Sequence, residues 1–211
     1  MPLFKKINHQ DRATVFVWKI EEELKELSEY TVLRDVSAKR LNNMKSKIHQ
    51  KGFMSIRQLL ILAGYTDNDL FYNGDGKPHL TDGKCISITH SFEYAAIVIS
   101  EENVGIDIEK KREKIIRIAD KFCNDKELLY VNSQEIEKRV ENTTLIWCAK
   151  ESVFKMCNTR GLSFKDHIYV DLDRYNNKEG EAIVSRGSLQ KRFEYFSCDL
   201  GSFMMTYSFA K

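Results

Sequence analysis

Three runs of β-branched and apolar residues follow one another with short polar turns between them: Cys85 to Thr89, Tyr94 to Ser100 and Val104 to Glu109. That pattern predicts three consecutive strands in an antiparallel meander. In the third run Val104, Ile106 and Ile108 alternate with Gly105, Asp107 and Glu109, the period of a half-buried strand, so both carboxylates leave one face. At about 3.3 Å per residue their stems stand roughly 7 Å apart and repel by roughly 2 kcal/mol at an effective dielectric near 20. A divalent cation between them removes that penalty.

The rest of the chain reads as helices followed by strands, twice over. A strand is expected over Ala13 to Ile20, a short charged helix over Glu21 to Ser28, and a helical region over Ser37 to Ala63 with Gly52 as a break and Gly64 as a C-cap. Thr66 to Gly83 reads as a polar loop. Helices are then expected near Glu113 to Phe122, Lys126 to Val131 and Thr143 to Cys157, and strands near Ile168 to Asp173, Ala182 to Arg186, Phe193 to Asp199 and Phe203 to Ser208. This order predicts an α+β class with two similar subdomains in pseudo-twofold arrangement, residues 1–104 and 105–211, and a site at their interface.

In the predicted helix Thr143 to Cys157, the residues Leu145, Cys148, Ala149, Ser152, Val153 and Met156 form one apolar stripe. Trp147, Glu151 and Lys155 share a neighbouring face. Magnesium favours hard oxygen ligands, commonly one or two carboxylates plus substrate phosphates, and Lys155 suits a phosphate oxygen. Each piece alone has an ordinary reading. Glu151 and Lys155 at i, i+4 make a common exposed salt bridge worth about 0.2–0.5 kcal/mol, and an Asp-x-Glu at a strand end is usually a solvated face.

Composition narrows the classes further. The 33 Lys and Arg against 31 Asp and Glu leave a net charge of +2, too balanced for a general nucleic-acid binder. The five cysteines have no C-x-x-C or zinc-like spacing, which fits reduced thiols in a cytoplasm. The first residues, Met1 to Lys6, lead into no apolar signal-like run, and no stretch has the roughly 18 apolar residues of a membrane helix. A soluble cytoplasmic protein is expected.

With these residues in view, the chain resembles the 4'-phosphopantetheinyl transferases of the surfactin-synthetase-activating, long single-chain type. Three motifs carry the resemblance: Gly76-Lys77-Pro78 followed by Ile86-Ser87-Ile88-Thr89-His90-Ser91; Gly105-Ile106-Asp107-Ile108-Glu109; and Trp147-Cys148-Ala149-Lys150-Glu151-Ser152-Val153-Phe154-Lys155. Arg160-Gly161-Leu162-Ser163 adds to them. The resemblance implies transfer of the phosphopantetheine arm of coenzyme A to a serine hydroxyl of an acyl or peptidyl carrier protein, with magnesium on the pyrophosphate and release of adenosine 3',5'-bisphosphate. It implies Asp107, Glu109 and Glu151 as metal ligands, Lys155 on a phosphate, Thr89 and His90 on phosphates of the coenzyme, and Lys77 and Pro78 at the adenine end. Glu127 sits where the family carries a glutamate suspected of deprotonating the serine. Lys51 and Arg57 sit where a basic residue grips the 3'-phosphate.

The chain departs from the family pattern in having Thr89 before the histidine and Cys148 in the helix, where serine, or serine or threonine, is usual. Thr89 keeps a hydroxyl. Chain length points to a monomer, since the short members of the family build the site between subunits. Lys111, Arg112, Lys114, Arg117 and Lys121 offer a basic surface for an acidic carrier of fatty acid, polyketide or nonribosomal peptide synthesis. Two other readings use the same residues: a magnesium-dependent phosphohydrolase that activates water, and a module that binds coenzyme A or a carrier without turnover.

Overall fold

The computed structural model describes residues 3–29 and 31–211; Met1, Pro2 and Tyr30, which fall inside the first expected subdomain, lie outside it. The chain separates into two compact units, one ending at Glu102 and the other beginning at Asn103. Each carries one antiparallel sheet with helices packed on it, so the class is α+β.

In the first unit the strands β1 (Leu3–His9), β2 (Ala13–Lys19), β3 (Leu70–Tyr72), β4 (Pro78–Leu80), β5 (Cys85–Ser91) and β6 (Tyr94–Ser100) form a sheet in the order β1-β2-β6-β5-β4-β3. The helices are α1 (Leu24–Ser28), α2 (Asp35–Asn43) and α3 (Lys47–Leu62). Ser46 caps α3 by accepting from the His49 N–H, and the helix buries Phe53, Met54, Ile56, Leu59 and Leu60 against Phe16, Trp18, Ile86 and Ile97 of the sheet. Gly64, at φ +89°, takes the left-handed turn just past its C-cap.

The second unit has the sheet order β7-β11-β10-β9-β8, built from β7 (Val104–Lys110), β8 (Ile168–Asp171), β9 (Glu179–Arg186), β10 (Leu189–Asp199) and β11 (Phe203–Ala210). A 3₁₀ helix over Glu113–Lys121 precedes α4 (Asp125–Asn132), α5 (Ile136–Cys157) and α6 (Phe164–His167). The long helix α5 lies across β7 and β11 and buries Leu145, Ile146, Cys148, Ala149, Val153 and Met156. No described helix is long and apolar enough to cross a membrane, and none of the five cysteines is in a disulfide.

Three expectations change. The meander stops after two strands: β5 pairs with β6, but β7 joins the other sheet and pairs with β11. Short turns and alternation fix that a strand exists, not which edge receives it. Gly52 does not break the helical region. The break falls at residues 44–46, and α3 runs through Gly52, whose missing side chain makes room for His90. The expected loop Thr66 to Gly83 contains the hairpin β3–β4, whose strands are three residues each.

Candidate active site

The acidic strand is placed by its register. Gly105, Asp107 and Glu109 stand opposite Ser208, Thr206 and Met204 of β11, so these six share one face of the sheet. Helix α5 packs on that face at very short range: a Cβ on Gly105 would lie 1.9 Å from the Ser152 carbonyl oxygen. The Ser152 and Ser208 hydroxyls, 2.5 Å apart, bond across the same junction. This close crossing brings the next turn of α5 over Asp107. There the Lys155 ammonium donates to Asp107 Oδ1 at 2.8 Å and to the Ile106 carbonyl at 2.7 Å. Lys155 thus turns to the strand acid, and not to Glu151 as the ordinary helix-pair reading has it.

Glu151 lies one turn before Lys155. Burial, joined by the charges of Asp107 and Glu109 and opposed by Lys155, pushes its carboxyl up to about 7. Glu151 therefore senses both strand acids, and the donor set, carboxylate oxygens only, suits a hard divalent ion. Among the described residues no three His, Cys, Asp or Glu side chains stand as a ready ligand set; Asp107 is held by an ammonium instead.

A pH dependence follows from Glu151. In the unfolded chain its carboxyl ionises near the ordinary 4.5, and in the folded protein near 7. Between those values the folded state holds a proton the unfolded state has lost, so stability is fully present below about 4.5 and falls as pH rises toward 7. Without metal, Tm is expected to fall across that window by several degrees more in the wild type than in Glu151→Gln. Added magnesium, which favours the ionised acid, is expected to flatten the difference. Parallel Tm curves for the two proteins would contradict this.

Glu127 is placed differently from an exposed general base. It is 1% exposed and is the third residue of a capping box, its Oε2 accepting from the Asn124 N–H while Asn124 caps the Glu127 N–H. The same oxygen accepts from Lys150 Nζ at 2.6 Å, and Oε1 accepts from the Val170 N–H at 2.8 Å. Lys150 is fully buried and spends its remaining protons on the Phe122 and Phe164 carbonyls. Burial pushes Glu127 up and Lys150 down, each opposed by its partner's charge. The pair clamps α4, α5 and the edge strand β8 together. Sequence reasoning passed over Lys150, although a lysine between Ala149 and Ser152 on the packed side of a helix is a sign that a buried acid waits nearby.

In the first unit, Lys77 and Pro78 lie at the turn of the β3–β4 hairpin, where the Asn73 side chain accepts from the Lys77 N–H. Thr89 is buried in β5 and His90 is exposed at the end of the same strand, its ring against Gly52. Lys51 pairs with the exposed Glu23 at 2.9 Å. Arg57 is 3% exposed and donates to Asp67 Oδ1 at 3.0 Å while its guanidinium stacks 3.5 Å from the Phe53 ring. Asp67 also accepts from Ser37 and from the Arg34 N–H. Burial lowers the Arg57 pKa, with Asp67 opposing it. This network ties α2 and α3 to the Thr66–Leu70 turn, which occupies Arg57 structurally. Of the basic row, Lys111 pairs with Asp199 at 3.0 Å, while Arg112, Lys114, Arg117 and Lys121 are exposed on and beside a 3₁₀ helix anchored by Ile115 and Ile118.

Residues 103–207, nearly the whole of the second unit, match the model of the 4'-phosphopantetheinyl transferase superfamily. Among curated proteins, "4'-phosphopantetheinyl transferase gsp" of Aneurinibacillus migulanus is 35% identical over 107 residues. The match spans 49% of this chain and 45% of that relative, so the chain covers about half of the relative's length.

Proposed function

We propose that the protein transfers the 4'-phosphopantetheine arm of coenzyme A to a serine of an apo carrier protein. The observation that carries this reading is the Lys155–Asp107 contact beneath Glu151, an acid-and-ammonium arrangement suited to a pyrophosphate, in a segment that matches the superfamily. The serine oxygen attacks the phosphorus bearing the pantetheine arm. The bond from that phosphorus to the bridging oxygen breaks, adenosine 3',5'-bisphosphate leaves, and the serine proton passes to a base or water. A magnesium ion held by Asp107, Glu109 and Glu151 would supply charge neutralisation at the pyrophosphate. Lys155 places positive charge where the leaving phosphate gains negative charge.

The same reading assigns Thr89 and His90 to phosphates of the coenzyme and Lys77 and Pro78 to its adenine end. Lys51 is the better placed of the two 3'-phosphate candidates, because Arg57 is spent on Asp67. Glu127 acts as a positioning residue through Lys150, since its oxygens are already taken. An acidic helical carrier suits the exposed row Arg112, Lys114, Arg117 and Lys121. A reduced cytoplasm and a monomeric state complete the proposal.

The test is the mass of an apo carrier protein after incubation with the protein, coenzyme A and magnesium. A gain of one phosphopantetheine arm, abolished by EDTA, is expected. Asp107→Asn is expected to slow it more than about a hundredfold with cooperative unfolding retained. Coenzyme A binding with no gain on any carrier would favour the non-catalytic module, and coenzyme cleavage without transfer the hydrolase.

A further inference from the structure

Two histidines meet on the surface of the first unit, and the acid-bearing site does not use the first of them. His49 stands in the first turn of α3 and His90 at the end of β5; their ring centroids are 5.9 Å apart with the planes inclined by 56°. The approach is built into the helix. A Cβ at position 52 would lie 2.8 Å from His90 Cγ and 2.9 Å from its Nδ1, so glycine there lets the imidazole settle against α3 one turn beyond His49. Both side chains belong to exposed residues.

We propose that His49 and His90 form a two-imidazole site for a borderline divalent cation of the zinc or nickel type. The spacing is the ground for this. With a metal–nitrogen distance of about 2.0–2.1 Å and the nitrogen roughly 1.2 Å from its ring centre, two imidazoles on one tetrahedral ion hold their centroids roughly 5.2 Å apart. Placed on opposite sides of the ion they stand about 6.4 Å apart. The observed 5.9 Å lies between these limits. Ligation takes one nitrogen of each ring and leaves the other for its neighbours. Among the described residues no group of three or more His, Cys, Asp or Glu completes a ligand set, so water fills the remaining positions and the ion exchanges readily.

Imidazole nitrogen selects zinc, nickel and copper, whereas carboxylate oxygens select magnesium. The pair is therefore chemically separate from Asp107, Glu109 and Glu151. Where His90 also contacts a coenzyme phosphate, an assignment that rests on the proposed function, an ion on the pair takes that histidine out of use. Metal and coenzyme then exclude each other.

Nickel, which favours imidazole, is the probe. The full chain, with only its accessible thiols alkylated under native conditions, is titrated with Ni2+ by calorimetry and by NMR of the imidazole protons. Binding of one ion is expected, with the His49 and His90 resonances broadening together and ahead of those of His9, His79 and His167. His49→Ala, an exposed change to a strong helix former, is expected to weaken this binding at least about tenfold with Tm preserved. No binding to the wild type, or equal binding to His49→Ala, overturns the site. Coenzyme A is then added at saturation. Weaker Ni2+ binding supports the exclusion, while unchanged binding overturns the exclusion alone and leaves the metal site standing.

Discussion

Gly105→Ala is expected to lower Tm by roughly 6–12 °C, the equivalent of about 3 kcal/mol for a chain of this size. The added methyl would sit 1.9 Å from the Ser152 carbonyl oxygen, a backbone atom that moves only if α5 moves. That displacement carries Lys155 away from Asp107 and Glu151 away from the acidic strand, so the proposed transfer activity is expected to fall more steeply than stability. Gly74→Ala is the control, because nothing lies within 4 Å of its Cβ position. Differential scanning calorimetry of both variants decides the matter: equal Tm values would show that the crossing is looser than described.

Glu127→Ala is expected to cost about 3–5 kcal/mol, the usual penalty for leaving a buried charge without its partner. Lys150 cannot reach solvent, and its two carbonyl partners do not neutralise it. Replacing both members, Glu127→Gln with Lys150→Met, is expected to recover much of the loss, since the glutamine oxygen still accepts from the Val170 N–H. Denaturant unfolding of the single and double variants measures this coupling. Were Glu127 also the base that deprotonates the carrier serine, the double variant would lose turnover even with its stability recovered.

The acidic strand and the helix after it were legible because each rests on local periodicity. Val104 to Glu109 alternates at period two and became β7 with one residue added, while Leu145 to Met156 keeps a helical stripe in a helix that ends at the expected Cys157 but starts earlier than expected, at Ile136. What could not be read was partnership. Nothing local in Val104–Glu109 says that its neighbour is Phe203–Ala210 and not Tyr94–Ser100, because hydrogen-bond ladders are indifferent to side-chain identity. The buried partners of Arg57 and Glu127 were hidden for a related reason. A charged residue with solvent and one with a buried counter-ion look alike in sequence, and Asp67 and Lys150 declare themselves once the chain is folded. The strand β1 was missed because its burial is weak, with Lys5 and Lys6 on an exposed edge.

The departure of β7 from the meander also sets a timetable. The strand bearing Asp107 and Glu109 has β11 as its ladder partner, and β11 comes after every other described strand in the chain. During synthesis the first unit's six strands emerge and can pair long before β11 leaves the ribosome, while β7 waits for its ladder partner through α4, α5, α6 and three more strands. Closing that long loop late is entropically costly and slow. A nascent chain can thus present a finished first unit before the strand bearing Asp107 and Glu109 has its ladder partner.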